Sequence, residues 1–113
     1  MSEFVFLYRG GPGPTGSPEQ MQRRIEKWAG WMKDLSAKGH IKDPGHPLER
    51  KGKLVTGAEG TVTDGPFAEA KDIVGGYTIV EARDINQAVE LTSGCPILDF
   101  GGFVEVRPVM HLG

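Results

Sequence analysis

The sequence predicts an α+β domain ordered strand, long helix, strand or hairpin region, strand, short helix, strand. Three observations carry that reading. An apolar alternation opens the chain at EFVFLYR (3–9). A capped stripe of helical period follows over 18–38. Past a Gly- and Pro-rich middle, DIVGGYTIVEA (72–82) and GFVEVRPV (102–109) bracket a second, shorter capped helix. This βαββαβ order is that of a ferredoxin-like split βαβ sandwich.

Each element has its own signal. In the first strand Phe4, Phe6 and Tyr8 alternate with Val5, Leu7 and Arg9. Both faces are largely apolar, which predicts a central strand covered on both sides. GGPGPTGSP (10–18) breaks it. Ser17 is then a fit N-cap, Pro18 suits the first helical position, and Gln20 completes a capping box. Met21, Ile25, Trp28, Met32 and Leu35 form the predicted inner stripe, with Trp31 off it. Gly39 is a natural residue just past the helix end.

HIKDPGHPLERKG (40–52) has room for one short strand and a loop. KLVTG (53–57) and TVTD (61–64), with a turn between, read as a hairpin. Within 72–82, Gly75–Gly76 marks a bulge or a close backbone approach. Asp84 caps the second helix with Gln87 three residues on, and Ile85, Ala88, Val89 and Thr92 form its predicted inner stripe. Gly94 and Pro96 end it. Pro108 marks a strand end or sheet edge.

The totals narrow the function classes. A chain of 113 residues is one domain, residues 1–113, with a modest core that a second copy would help to complete. Two helices cover one sheet face and leave the other open, so a homodimer burying that face is expected. The net charge of −2 lacks the basic footprint of a nucleic-acid binder. Cys95 is the single cysteine, so no intrachain disulfide forms. The start MSEFVFLYRG is not a secretory signal, and no apolar run is long enough to span a membrane. A cytoplasmic protein without membrane contact is the expectation.

Most motifs yield to simpler readings. GPGPTG (11–16) matches a dinucleotide fingerprint by letter, but Pro12 and Pro14 remove backbone donors that phosphate binding uses. The capping box also starts the helix beyond the last glycine. No cofactor is expected. His40, Asp43 and His46 match no zinc spacing, so no metal is expected either, and His111 reads as exposed. Cys95 has no local base and reads as a packing residue. In TDGPF (63–67) the residues favour a turn, through Asp64, Gly65 and Pro66. The functional alternative is Asp64 as an acid–base group at a strand end.

TDGPFAEAKDIVGGYTIVEA (63–82), with CPI (95–97) and GGFVEVRPVM (101–110), closely resembles the DGPF-type branch of the YCII-related family. The resemblance covers nearly the whole chain and is strongest from Leu54 to Met110. It implies a ferredoxin-like α+β domain that dimerises as an α/β barrel. It implies less about activity. A distant YCII relative is a dehydrochlorinase acting on a chlorinated hydroxyquinol, and some members are similar in layout to muconolactone isomerase. Several DGPF-type members occur beside or fused to extracytoplasmic-function sigma factors. The His–Asp pair of the YCII branch is not carried over, because residues 18–38 contain no histidine and only His40 comes close.

Two functions follow as expectations. One is a small-molecule binder or lyase/isomerase-type enzyme for a small organic acid or aromatic. It would use Asp64 as acid–base group, Arg9, His40, Tyr77 and Arg107 as ligand contacts, and Gly75–Gly76 for backbone approach. The other is a non-catalytic dimeric module in sigma-factor-type regulation.

Overall fold

The computed structural model describes residues 1–11, 16–65 and 72–113. In chain order they form β1 (Ser2–Gly10), α1 (Pro18–Ala37), β2 (Ile41–Asp43), β3 (Lys53–Thr56) and β4 (Thr61–Asp64). Then come β5 (Val74–Ala82), α2 (Ile85–Leu91), a 3-10 helix (Pro96–Phe100) and β6 (Gly102–Pro108). β2, β5, β1 and β6 make one antiparallel sheet in that order, while β3 and β4 pair, among the described residues, only with each other. The architecture is α+β, and its strand order is compatible with the predicted sandwich.

Sheet register decides which residues share a face. Phe4 lies opposite Val80 and Pro108, and Phe6 opposite Thr78 and Val106. Phe4, Phe6, Tyr8 and Val80 are buried with Trp31 and Leu35 of α1, Ala88 of α2 and Cys95. Both helices therefore pack on this face. Its mirror rows, Ile79–Val5–Arg107 and Tyr77–Leu7–Glu105, lie on the other face. β1 is central as expected, but Val5 and Leu7 stay half-buried because no described helix lies over them.

The α1 stripe is rotated from the predicted one. Trp31 is buried and Ile25 is 57% exposed. The cause lies in partners: the Trp31 indole N–H donates to the Leu91 carbonyl at 3.1 Å, and its ring packs against Phe6, Tyr8 and Trp28. A large amphipathic ring with a buried acceptor takes the inner position from a plain aliphatic one. On α2, Ala88 is buried and Leu91 half-buried, whereas Ile85 and Val89 face outward. Only a small side chain fits where this short helix meets the sheet.

The caps form as read. Ser17 Oγ accepts from the Gln20 amide, and Gln20 Oε1 accepts from the Ser17 amide at 2.8 Å. Asp84 accepts from the Gln87 amide at 2.8 Å. The glycine pair is a bulge. Tyr8 pairs with Gly76 and Arg9 with Val74, leaving Gly75 as the extra residue. The close backbone approach at Gly76 comes from the chain itself. A Cβ there would meet the His46 carbonyl oxygen at 3.1 Å and Pro47 Cα at 3.3 Å. Pro47 bridges Gly76, and the Leu48 amide donates to the Gly75 carbonyl at 2.8 Å.

Candidate functional site

Three of the residues predicted to hold a ligand converge on the open sheet face. Arg9, near the end of β1, sits opposite Phe103. Its Nη1 donates to Glu105 Oε1 at 2.6 Å, and Nη2 lies 3.8 Å from Asp72 Oδ1. The guanidinium carbon stands 5.5 Å from the centre of the Phe103 ring, a cation–π distance. Arg107, two residues along β6 from Glu105, places Nε 3.9 Å from the second Glu105 oxygen. Tyr77 lies across Leu7 from Glu105, and the His46 ring meets it edge-on at 6.4 Å.

The electrostatics of this face are nearly balanced: two arginines oppose Glu105 and Asp72. One donor is left over. Arg9 Nε is buried and has no hydrogen-bond partner among the described residues. A buried donor without an acceptor costs about 1–3 kcal/mol, and more for a charged group, unless an oxygen meets it. The Phe103 ring, 40% exposed, supplies apolar surface beside this guanidinium, and the Tyr77 ring lies farther along the same face. The arrangement suits a flat, oxygen-bearing small molecule.

The other predicted residues lie elsewhere. His40 precedes β2, and its Nδ1 lies 2.8 Å from the Glu81 carbonyl, at the end of β5 far from Arg9. Gly75 and Gly76 border the Arg9 end of the sheet, but their outer edge is covered by residues 46–48. Asp64 is in the β3–β4 ribbon, where its carboxylate accepts from Lys53 Nζ at 2.6 Å with its side chain 82% exposed. It lines neither of the two concavities described below. Pro66, Phe67, Glu69 and Lys71 of the signature lie outside the described residues, as do Pro12 and Pro14 of the glycine-rich loop.

Two concavities flank these elements. A groove of about 490 Å³ between α1 and β2 is lined by Met32, Lys33, Ser36, Ile41 and Pro44. None of the predicted ligand contacts lines it. A smaller cleft of about 210 Å³ lies at the ribbon base, among Arg50, Lys53, Leu54, Asp72 and Val74. Asp72 links this cleft to Arg9.

Under the helices the chemistry is quiet. The Tyr8 hydroxyl donates to Thr78 Oγ1 at 2.7 Å, which donates on to the Pro44 carbonyl at 2.9 Å. Burial pushes the Tyr8 hydroxyl well above its ordinary range, so it stays a neutral donor. Burial likewise pushes the Cys95 thiol up to about 11. It is a packing thiol, as its letters indicated, and not a thiolate nucleophile. Among the described residues no group of three or more His, Cys, Asp or Glu is placed to hold a metal ion. None of their helices is long and apolar enough to cross a membrane.

Sequence reasoning missed Phe103, Glu105, Asp72 and His46 as members of this face. The alternation Phe103–Glu105–Arg107 was visible, and it does put all three on one side of β6. What the letters lack is the register that sets this row beside Arg9.

Fold and face together define a two-layer α+β protein with an arginine-centred polar patch on its uncovered sheet surface. The model of the YCII-related domain matches residues 4–112, and the chain belongs to that family. No curated protein matches it. Among solved structures it is similar to 5-chloro-2-hydroxyhydroquinone dehydrochlorinase from Burkholderia phenoliruptrix, solved as a complex with 2,5-dihydroxybenzoquinone. That likeness has 21% identity over 96% of this chain and 94% of the other, with a TM-score of 0.48.

Proposed function

We propose that this chain, as a ferredoxin-like member of the DGPF branch, binds a small organic acid or aromatic on the open sheet face. It does so as a homodimer whose second copy covers that face. One observation carries the ligand reading: the unpartnered Arg9 Nε lies beside a ring that already attracts the guanidinium. An acidic or hydroxylated aromatic meets both, giving its oxygen to Nε and its ring to Phe103 or Tyr77. Glu105 and Asp72 would accept protons or hydrogen bonds from such a ligand, which is the chemistry a lyase or isomerase needs.

The dimer reading rests on the half-buried apolar row Val5, Leu7 and Ile79, which no described helix covers. Asp64, exposed on its ribbon, would reach a ligand on this face only by being carried to it.

Titration with benzoate, followed by NMR, tests the ligand reading. Resonances of Arg9, Tyr77 and Phe103 should shift together, and Arg9→Gln should weaken binding at least tenfold while the fold persists. Shifts confined to the α1–β2 groove, or none at all, would overturn it. Mass photometry at micromolar concentration tests the dimer.

A further inference from the structure

The β3–β4 ribbon presents a physical problem that the described residues do not solve. Its four residue pairs form a ladder, Lys53–Asp64 to Thr56–Thr61, joined to no other described strand. All its residues but Leu54 are exposed. Val55 and Val62 lie directly opposite each other, 68% and 57% exposed, so one ribbon face carries an apolar pair open to water. A two-stranded hairpin alone is marginally stable in water, and its stability comes from packing against something. The shape agrees with a projecting element. The radius of gyration is 15.6 Å, where a compact chain of this length has about 13 Å.

The molecule also offers a half-buried apolar row over which no described helix lies, Val5–Leu7–Ile79. One opposite-charge pair is available as well. Glu59 stands in the ribbon's turn, and Arg107, with its side chain 65% exposed, stands at the edge of that row. We propose that the ribbon is a dimerisation arm, which lays its Val55–Val62 face on the open sheet face of a second copy. In a two-fold dimer each arm does this reciprocally. Each ligand site is then closed by a residue pair from the other chain. This inference rests on the dimer reading above and adds the contact that makes each site incomplete in one copy.

Two measurements on the full chain test it. A photoreactive phenylalanine at position 62 should crosslink to β1 or β5 peptides of the second copy. Crosslinks found only within one chain would overturn the proposal. The double variant Val55→Lys, Val62→Lys changes only exposed ribbon side chains, so the near-ultraviolet circular dichroism of Trp28 and Trp31, packed at the core, should be unchanged. Its dimer dissociation constant should rise at least tenfold by analytical ultracentrifugation, as should that of Leu7→Lys. If Leu7→Lys dissociates the dimer and the arm variant does not, the covered face stands and the arm is overturned. If the wild-type chain is monomeric throughout, both fall.

Discussion

The two faces of the four-stranded sheet are built from alternate residues of the same strands, yet they differ in kind. On the helix side Phe4, Phe6, Tyr8 and Val80 are buried, and the one buried polar side chain, Thr78, is hydrogen-bonded at 2.7 and 2.9 Å. On the other side Val5, Leu7, Tyr77 and Ile79 are half-buried, and charges are paired around one unpartnered donor. A period-2 strand divides stability and chemistry between its faces, one residue to each in turn. The covered face holds the hydrophobic core. The open face keeps half-buried apolar surface and one buried donor that no described residue satisfies.

The largest effect that tests this division is a pair of truncations one residue apart. Phe6 is fully buried, so Phe6→Ala should cost about 3–5 kcal/mol, the usual range for a buried aromatic. Leu7→Ala removes a half-buried side chain and should cost roughly 1 kcal/mol in the monomer, well below the ~1.5–3 kcal/mol of full burial. Urea unfolding of both variants at the lowest workable protein concentration gives the comparison. Equal losses would mean that the open face is covered within one chain.

The next effect is alkaline. Burial raises both Tyr8 and Cys95, the latter from its ordinary 9.0 to about 11. In the unfolded chain the thiol loses its proton first, so the unfolded state binds fewer protons over that interval. The sign is therefore negative. Stability is complete below pH 9.0 and falls as the pH rises toward about 11. Urea midpoints measured across this window should decline, and Cys95→Ala should remove part of the decline. A flat wild-type profile would place the thiol in water.

The same contrast explains what was legible in the letters. Caps and breaks were readable because they are local. Ser17 with Gln20, Asp84 with Gln87, and Gly39 each act within a few residues. The glycine bulge was readable because only glycine escapes the penalty of so close a neighbour chain. The α1 stripe was misjudged because Trp31 is decided by Leu91, 60 residues away. The site was half legible for the same reason. Arg9, Tyr77 and Arg107 were chosen as polar residues on strands, but Glu105, which accepts from Arg9, depends on register between chain ends 96 residues apart. Asp64 drew weight from its signature, while its ribbon placement depends on pairing with Lys53.

The smallest effect concerns two ion pairs of equal length. Lys53–Asp64 and Arg9–Glu105 both close to 2.6 Å, but the first pair is 67% and 82% exposed and the second 25% and 32%. Water screens the ribbon pair, so its coupling in a double-mutant cycle of Lys53→Gln and Asp64→Asn should be about 0.2–1 kcal/mol. The sheet pair is a charge-assisted hydrogen bond in a drier setting and should couple by about 1.5–3 kcal/mol. Arg9→Gln with Glu105→Gln supplies that second cycle. Asp64→Asn alone should then leave the urea midpoint nearly unchanged, and any loss of ligand binding in that variant would report delivery of the carboxylate to a site and not a weakened fold. A coupling at Lys53–Asp64 as large as that at Arg9–Glu105 would instead mean that the ribbon is shielded from water in solution. That is the expected result if the proposed arm lies on a second copy, so the two cycles should be run at low and at high protein concentration. A coupling that rises on association locates the arm at the interface, whereas one that stays near its monomer value leaves the ribbon in solvent.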